Sequence, residues 1–223
     1  MDYNYKRVKI PRQIKKLLTE IDKRSQYPIF YPFLMTKVER TLFGRLIKDS
    51  KYYLEFGLGG STIYALKHSR AVIYSVESSL QWIEKMRKYR IIKHFEKNRL
   101  FIHYVDIGPV GDLGYPMGND FSLYEKYTSE IFEKINIGLI DLVLVDGRFR
   151  VACILKLLLE GYKVNMGLRC MIHDFWNRED YKTVLEFVDP ICSKENLVVF
   201  KIKEDLDLKA VQKCYELYKY NPK

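Results

Sequence analysis

From Tyr52 onward the chain alternates between two hydrophobic patterns. Short, nearly continuous apolar runs occur at Tyr52–Phe56, Ala71–Glu77, Leu100–Asp106, Leu139–Gly147, Leu168–Asp174 and Leu197–Lys203. Between most of them lie segments whose apolar residues recur every three or four positions: from Thr62 onward, Ser79–Lys93, Leu123–Lys134, Arg150–Glu160 and Glu179–Val188. The runs suit strands buried on both faces, and the periodic segments suit helices laid over them. The expectation is an α/β fold: a doubly wound, mostly parallel Rossmann-like sheet with helices on both faces. Ahead of it, Ile10–Lys23 puts Ile14, Leu17, Leu18 and Ile21 on one helical face beginning near Pro11. "YPIFYPF" (Tyr27–Phe33) is a proline-interrupted connector, and Thr36–Lys48 is a second helix. Residues 1–33 therefore read as an N-terminal helical extension, a lid or a dimer contact in a possible homo-oligomer. Residues 34–223 read as one domain.

The first strand runs into "EFGLGGST", an acid followed by three glycines and two hydroxyl residues. Gly57, Gly59 and Gly60 permit a tight turn and close approach of a ligand to the backbone. Ser61 or Thr62 can cap the helix that follows, whose N-terminus is electropositive. Strand, glycine turn and helix together make a nucleotide-type cradle. The spacing departs from GxGxxG, because Ile63 stands where a dinucleotide turn would need glycine, and Glu55 would repel a pyrophosphate. A cationic sulfonium with an ammonium group is better tolerated. Glu77, ending the second strand, can accept from both hydroxyls of a ribose, and Asp106, ending the third, from an adenine amine. Asp146 and the pair His173-Asp174 end the next two strands, where ligands of such sheets bind.

Composition narrows the picture only a little. The 38 Lys+Arg against 28 Asp+Glu give a formal charge of +10. That excess is spread along the chain, concentrated at Lys6–Arg24 and Lys85–Arg99, without the glycine and aromatic pattern of an RNA-binding sheet. An anionic small substrate is favoured over nucleic acid. No apolar run approaches the ~18 residues of a membrane span. The start of the chain lacks the apolar core of a secretion signal, and the four cysteines never form CxxC, so the expected location is cytoplasmic with reduced thiols.

Glu55-x-Gly57-x-Gly59, followed in order by Glu77, Asp106 and Asp146, resembles the class I S-adenosylmethionine-dependent methyltransferases over roughly residues 36–203. The resemblance implies S-adenosylmethionine as cofactor and Glu55, Gly57, Gly59, Ser61, Glu77 and Asp106 as its binding residues. That family closes its sheet with an antiparallel pair of strands. Here only Leu197–Lys203 is evident and "LKAVQKCYELYKY" reads as a helix, so the seventh strand is either absent or disguised in the sequence.

"VDGRFR" (Val145–Arg150) and "IHDFWNREDY" (Ile172–Tyr181) end neighbouring strands. The pattern is similar to small-molecule O-methyltransferases of the macrocin and catechol types, in which acids at these positions hold a divalent ion. It implies methyl transfer to a hydroxyl or amine of a small metabolite or glycan precursor. Asp146, His173 and Asp174 are candidates both for catalysis and for metal binding. His173 stands where an acid is expected, so three readings remain open: a softer ion, His173 as general base, or a structural cap. Arg148, Arg150 and Arg178 are candidate binders of an anionic substrate. The Gly/Pro-rich loop Asp106–Asp120 is long enough to cover it. An RNA methyltransferase and a non-catalytic interaction protein of the same fold are the alternatives.

Overall fold

The computed structural model describes residues 11–223. Ile10, where the sequence places the start of the first helix, lies outside the described residues. Helix α1 (Arg12–Asp22) begins after Pro11 and leaves Ile14, Leu17 and Ile21 exposed. Helix α2 (Lys37–Lys48) starts from a capping box: Thr36 Oγ1 accepts from Glu39 N–H at 3.2 Å, and Glu39 Oε2 accepts from Thr36 N–H at 2.8 Å.

Strand β1 (Tyr52–Phe56) leads through the glycine turn into α3 (Gly60–His68), and then β2 (Val72–Glu77). The segment expected as one helix over Ser79–Lys93 is two, α4 (Leu80–Arg87) and α5 (Arg90–Phe95), because Tyr89 leaves helical geometry and buries its ring. Strand β3 (Leu100–Tyr104) is followed by the long loop and α6 (Tyr124–Ser129), which ends in a 3-10 turn. Then come β4 (Leu142–Val145), α7 (Arg150–Gly161) and β5 (Arg169–Ile172). The helix expected at Glu179–Val188 is a 3-10 segment over Glu179–Glu186. It runs into β6 (Val188–Lys194), which hairpins to β7 (Leu197–Ile202) before α8 (Leu208–Tyr218).

The seventh strand is present, so of the two sequence alternatives it is disguised and not absent. Strand β6 reads "VDPICSK", with one buried residue, an internal proline and a register shift between Pro190 and Cys192. As an edge strand it needs no apolar run, and a proline is tolerated there. That is why its pattern does not show in the sequence.

The seven strands lie in the order β3-β2-β1-β4-β5-β7-β6. The first five pair in parallel and β7 is antiparallel to both neighbours. Alternate residues supply two separate cores. Leu54, Phe56, Val143 and Val145 pack beneath α6, α7 and α8. Tyr53, Ile73, Leu142 and Leu144 pack beneath α2 to α5. Strands β1 and β4 are central, so their carboxyl ends open between the two helical layers, at the reversal of strand order.

Two glycines set how closely those ends meet. Gly57 has φ +109, and a Cβ there would lie 2.9 Å from Gly147 N and 3.0 Å from Gly147 Cα. Gly57→Ala should therefore lower stability by about 1–3 kcal/mol, through both the left-handed backbone and the backbone contact. Urea unfolding with an unchanged midpoint would show that this approach is not rigid.

Candidate active site

The glycine turn rests on a buried carboxylate. Glu55 has no exposed surface; its Oε2 accepts from Ser61 Oγ at 2.8 Å and Tyr53 Oη at 3.0 Å, and its Oε1 accepts from Thr62 Oγ1. Burial pushes its pKa up to about 7, against the pull of the Thr62, Ser61, Ser75 and Tyr53 hydroxyls. Ser61 is likewise turned inward. Glu55 and Ser61 thus stand beneath the turn and fasten α3 to β1. Thr62 Oγ1 also accepts from Gly59 N–H at 2.9 Å, so the turn is held from below at two points. Gly60 is packed tightly on Pro32 and Phe33, whereas nothing lies within 4 Å of the place a Gly59 Cβ would take. The cradle opens at Gly59.

Glu77, 8% exposed, ends β2 with Oε1 accepting from the Ser78 and Ser79 N–H groups at 2.8 and 2.9 Å. Burial raises its pKa, while those N–H groups, Leu58 N–H and the charge of Arg148 oppose the rise. The long loop passes over it: a Gly114 Cβ would stand 4.0 Å from Glu77 Oε1. Arg148 latches this loop, its Nε donating to Leu113 O at 3.0 Å and its guanidinium lying 5.7 Å from the Tyr115 ring centroid. Asp106 is exposed past the end of β3, and its Oδ1 accepts from Gly108 N–H at 2.9 Å.

Across the gap, β4 and β5 bring Asp146, His173 and Asp174 together, with one donor atom from each within 4.8 Å of the others. His173 Nδ1 is 3.0 Å from Asp146 Oδ1, and its Nε2 is 3.3 Å from Glu39 Oε2. Burial works to lower the His173 pKa, but the bond to Asp146 and the charges of Asp146, Asp174 and Glu39 win and raise it to about 8. Two residues here adopt the left-handed region without being glycine, Phe149 at φ 55 and Asp174 at φ 59. Such geometry is retained where surrounding contacts impose it, often at functional sites.

Arg150 lies at the centre of this cluster, 7% exposed. Its Nε donates to Gly147 O at 3.0 Å, and its Nη2 to Asp146 O at 3.2 Å. Nη1 donates to His173 O and lies 3.4 Å from Asp174 Oδ2, while Nη2 also meets Asp146 Oδ1 at 3.2 Å. The arrangement does not fit a divalent ion, because both His173 nitrogens are engaged and a guanidinium already stands between the acids. Arg178 lies further out, 5.9 Å from the Tyr181 ring centroid.

Glu39 is the site residue that the strand-end pattern missed. It is 2% exposed, and besides Thr36 and His173 its Oε1 takes the Asn196 N–H at 3.0 Å. Burial opposes its ionisation, yet these donors and His173 hold its pKa below the ordinary value. The legible signal was Thr36-x-x-Glu39, the spacing of a capping box.

No known family profile matches the chain, and no curated protein does. Solved structures do. A methyltransferase-like protein from Silicibacter pomeroyi is similar at TM-score 0.75 and 24% identity, over 86% of this chain and 98% of that one. An SAH-bound methyltransferase from Podospora anserina is similar at TM-score 0.53 and 15% identity, over 88% and 89%. A protein described as a caffeoyl-CoA O-methyltransferase from Staphylococcus aureus is similar at TM-score 0.52 and 13% identity, over 86% and 91%. The chain has the class I methyltransferase fold. None of its described helices is long and apolar enough to cross a membrane, and all four cysteines are free thiols.

The buried Glu55 gives a pH test. Its raised value means that the folded chain holds this proton more tightly than the unfolded chain does. The associated stability is complete below the ordinary value of 4.5 and is lost as pH rises through about 7. Glu55→Gln should flatten unfolding free energy across that window. The same slope in both proteins would show that Glu55 titrates normally.

Proposed function

We propose that this chain is a methyltransferase that uses S-adenosylmethionine, transferring the methyl group to a hydroxyl or amine of a small anionic acceptor. The carrying observation is the convergence of a glycine turn open at Gly59 with acids at the ends of β2, β4 and β5. Gly57 and Gly59 would receive the methionine part, Glu77 Oε2 the ribose hydroxyls and Asp106 the adenine side, with Glu55 and Ser61 fixing the turn from beneath. An acid-lined cradle of this kind suits a cation and disfavours a pyrophosphate. When bound, the cofactor supplies an electrophilic methyl on a sulfonium. The chain's own part is to align the acceptor with it and to take the acceptor's proton. Asp146 is suited to the second task, because its Oδ1 is fixed by His173 and Arg150.

Arg178 favours an anionic acceptor, since its guanidinium lies 5.9 Å from the Tyr181 ring centroid, and the charge of Arg148 acts on the same residue. A second reading, an RNA acceptor, has one observation in its favour. A cavity of about 500 Å³ is lined by Lys37, Arg40, Thr41 and Tyr64, and another of about 390 Å³ by Lys48, Lys67, His68 and Arg70 with two serines. The Tyr64 and His68 rings, one from each cavity lining, lie 4.3 Å apart and tilted by 41°. Filter binding of single-stranded RNA, with a salt slope that shrinks in Arg40→Gln, would move the assignment to RNA.

Calorimetry with S-adenosylmethionine, S-adenosylhomocysteine and NAD tests the cofactor. The first two should bind and NAD should not; the reverse sinks the proposal. Glu77→Ala should weaken the first two by about 1.5–3 kcal/mol, roughly ten- to a hundredfold. An intact Glu77→Ala protein with parental affinity would remove Glu77 from the site.

Asp146→Asn should lower turnover by about 10²–10⁴-fold while leaving cofactor affinity within a few fold. An equal loss of both would make Asp146 a structural residue.

A further inference from the structure

Glu39, Asp146 and Asp174 converge on His173, and three acids at the floor of a cleft require positive charge among them. Arg150 supplies it from the first turn of α7, immediately after the left-handed Phe149. Its placement is fixed by three backbone carbonyls, those of Gly147, His173 and Asp146, as well as by Asp146 Oδ1 and Asp174 Oδ2. The Tyr181 ring closes over it at 5.8 Å. A guanidinium bound to that many fixed acceptors cannot swing aside without leaving buried carbonyls unpaired, each a costly loss. An ion entering between the two acids would meet a desolvated positive charge within a few ångströms.

We propose that Arg150 is the resident cation of the acceptor site, so that the chain binds no divalent metal there. Asp146 Oδ2 is then the oxygen that meets the acceptor. Resting as it does on Asp146 facing the acceptor, this assigns Arg150 a positioning role and not contact with the acceptor. Asp146 Oδ1 is hydrogen-bonded to His173 Nδ1 and lies 3.2 Å from Arg150 Nη2 as an ion pair, while Oδ2 has no protein partner among the described residues. The acceptor's proton passes to Oδ2 and from there to water, for the Asp146 side chain keeps 28% of its exposure. The charge that a metal would bring is thus built into the fold.

An electron paramagnetic resonance titration with Mn²⁺ reads this directly and needs neither cofactor nor acceptor. A failure of the cofactor proposal in calorimetry would therefore leave its result intact. The parent chain should leave the free-ion signal undiminished. Arg150→Ala should gain one bound equivalent, which Asp146→Asn in the same protein removes, and Arg150→Lys should behave as the parent. One equivalent bound by the parent and lost in Asp146→Asn overturns the proposal, as does a folded Arg150→Ala protein that takes up no Mn²⁺. Circular dichroism establishes folding; should Arg150→Ala fail to fold, the parent and Asp146→Asn titrations alone decide.

Discussion

The site depends on the close approach of two backbones at the ends of the central strands. Gly57 after β1 and Gly147 after β4 leave no room between them: a Cβ on Gly57 would lie 2.9 Å from Gly147 N, and one on Gly147 would lie 3.0 Å from Phe56 O. Parallel pairing brings β1 and β4 into register with Phe56 opposite Val145, so both turns leave the sheet at one level. From there they diverge, one into α3 and the other towards α7. The cleft is what remains between them, and each functional group named above reaches it from one side or the other.

Charge is arranged differently on the two sides. On the turn side, Glu55 is wrapped by hydroxyls without a cation, and burial dominates its titration. Around His173 the acids are compensated by Arg150 and by His173 itself, whose pKa is raised. A buried carboxylate held by neutral donors favours its protonated form, whereas one facing a fixed cation keeps its charge. The fold thus places a group able to stay neutral beneath the cradle, and a fixed guanidinium among the acids across the cleft.

The parallel part of the sheet was legible because buried strands must be apolar throughout, and five of its runs stand out between periodic helices. The acids at their ends were legible for the same reason, since a carboxylate stopping an apolar run is conspicuous. What sequence alone could not give was direction. Glu55 and Ser61 lie in the motif yet point inward, and Arg150 looks like a surface arginine until α7 carries it under Tyr181. Nor could sequence bring Glu39 to His173, because that contact spans 134 positions and depends on how α2 packs. Strand β6 escaped notice because an exposed edge imposes no pattern.

The hairpin of β6 and β7 has a bearing on how the molecule is assembled in time. Its strands pair across a two-residue turn, Glu195-Asn196, with Glu195 in the left-handed region. A pairing so local closes within microseconds, far faster than the distant pairing of β1 with β4. Yet the turn is also a fastener, for Asn196 gives its N–H to Glu39 and its carbonyl to Phe175 N–H at 2.9 Å. On a ribosome, α2 and the glycine turn emerge long before Asn196 does, and Glu39 must wait 157 residues for that partner. The nascent chain can settle its cradle early, but the opposite wall of the cleft is completed only when the last hairpin docks.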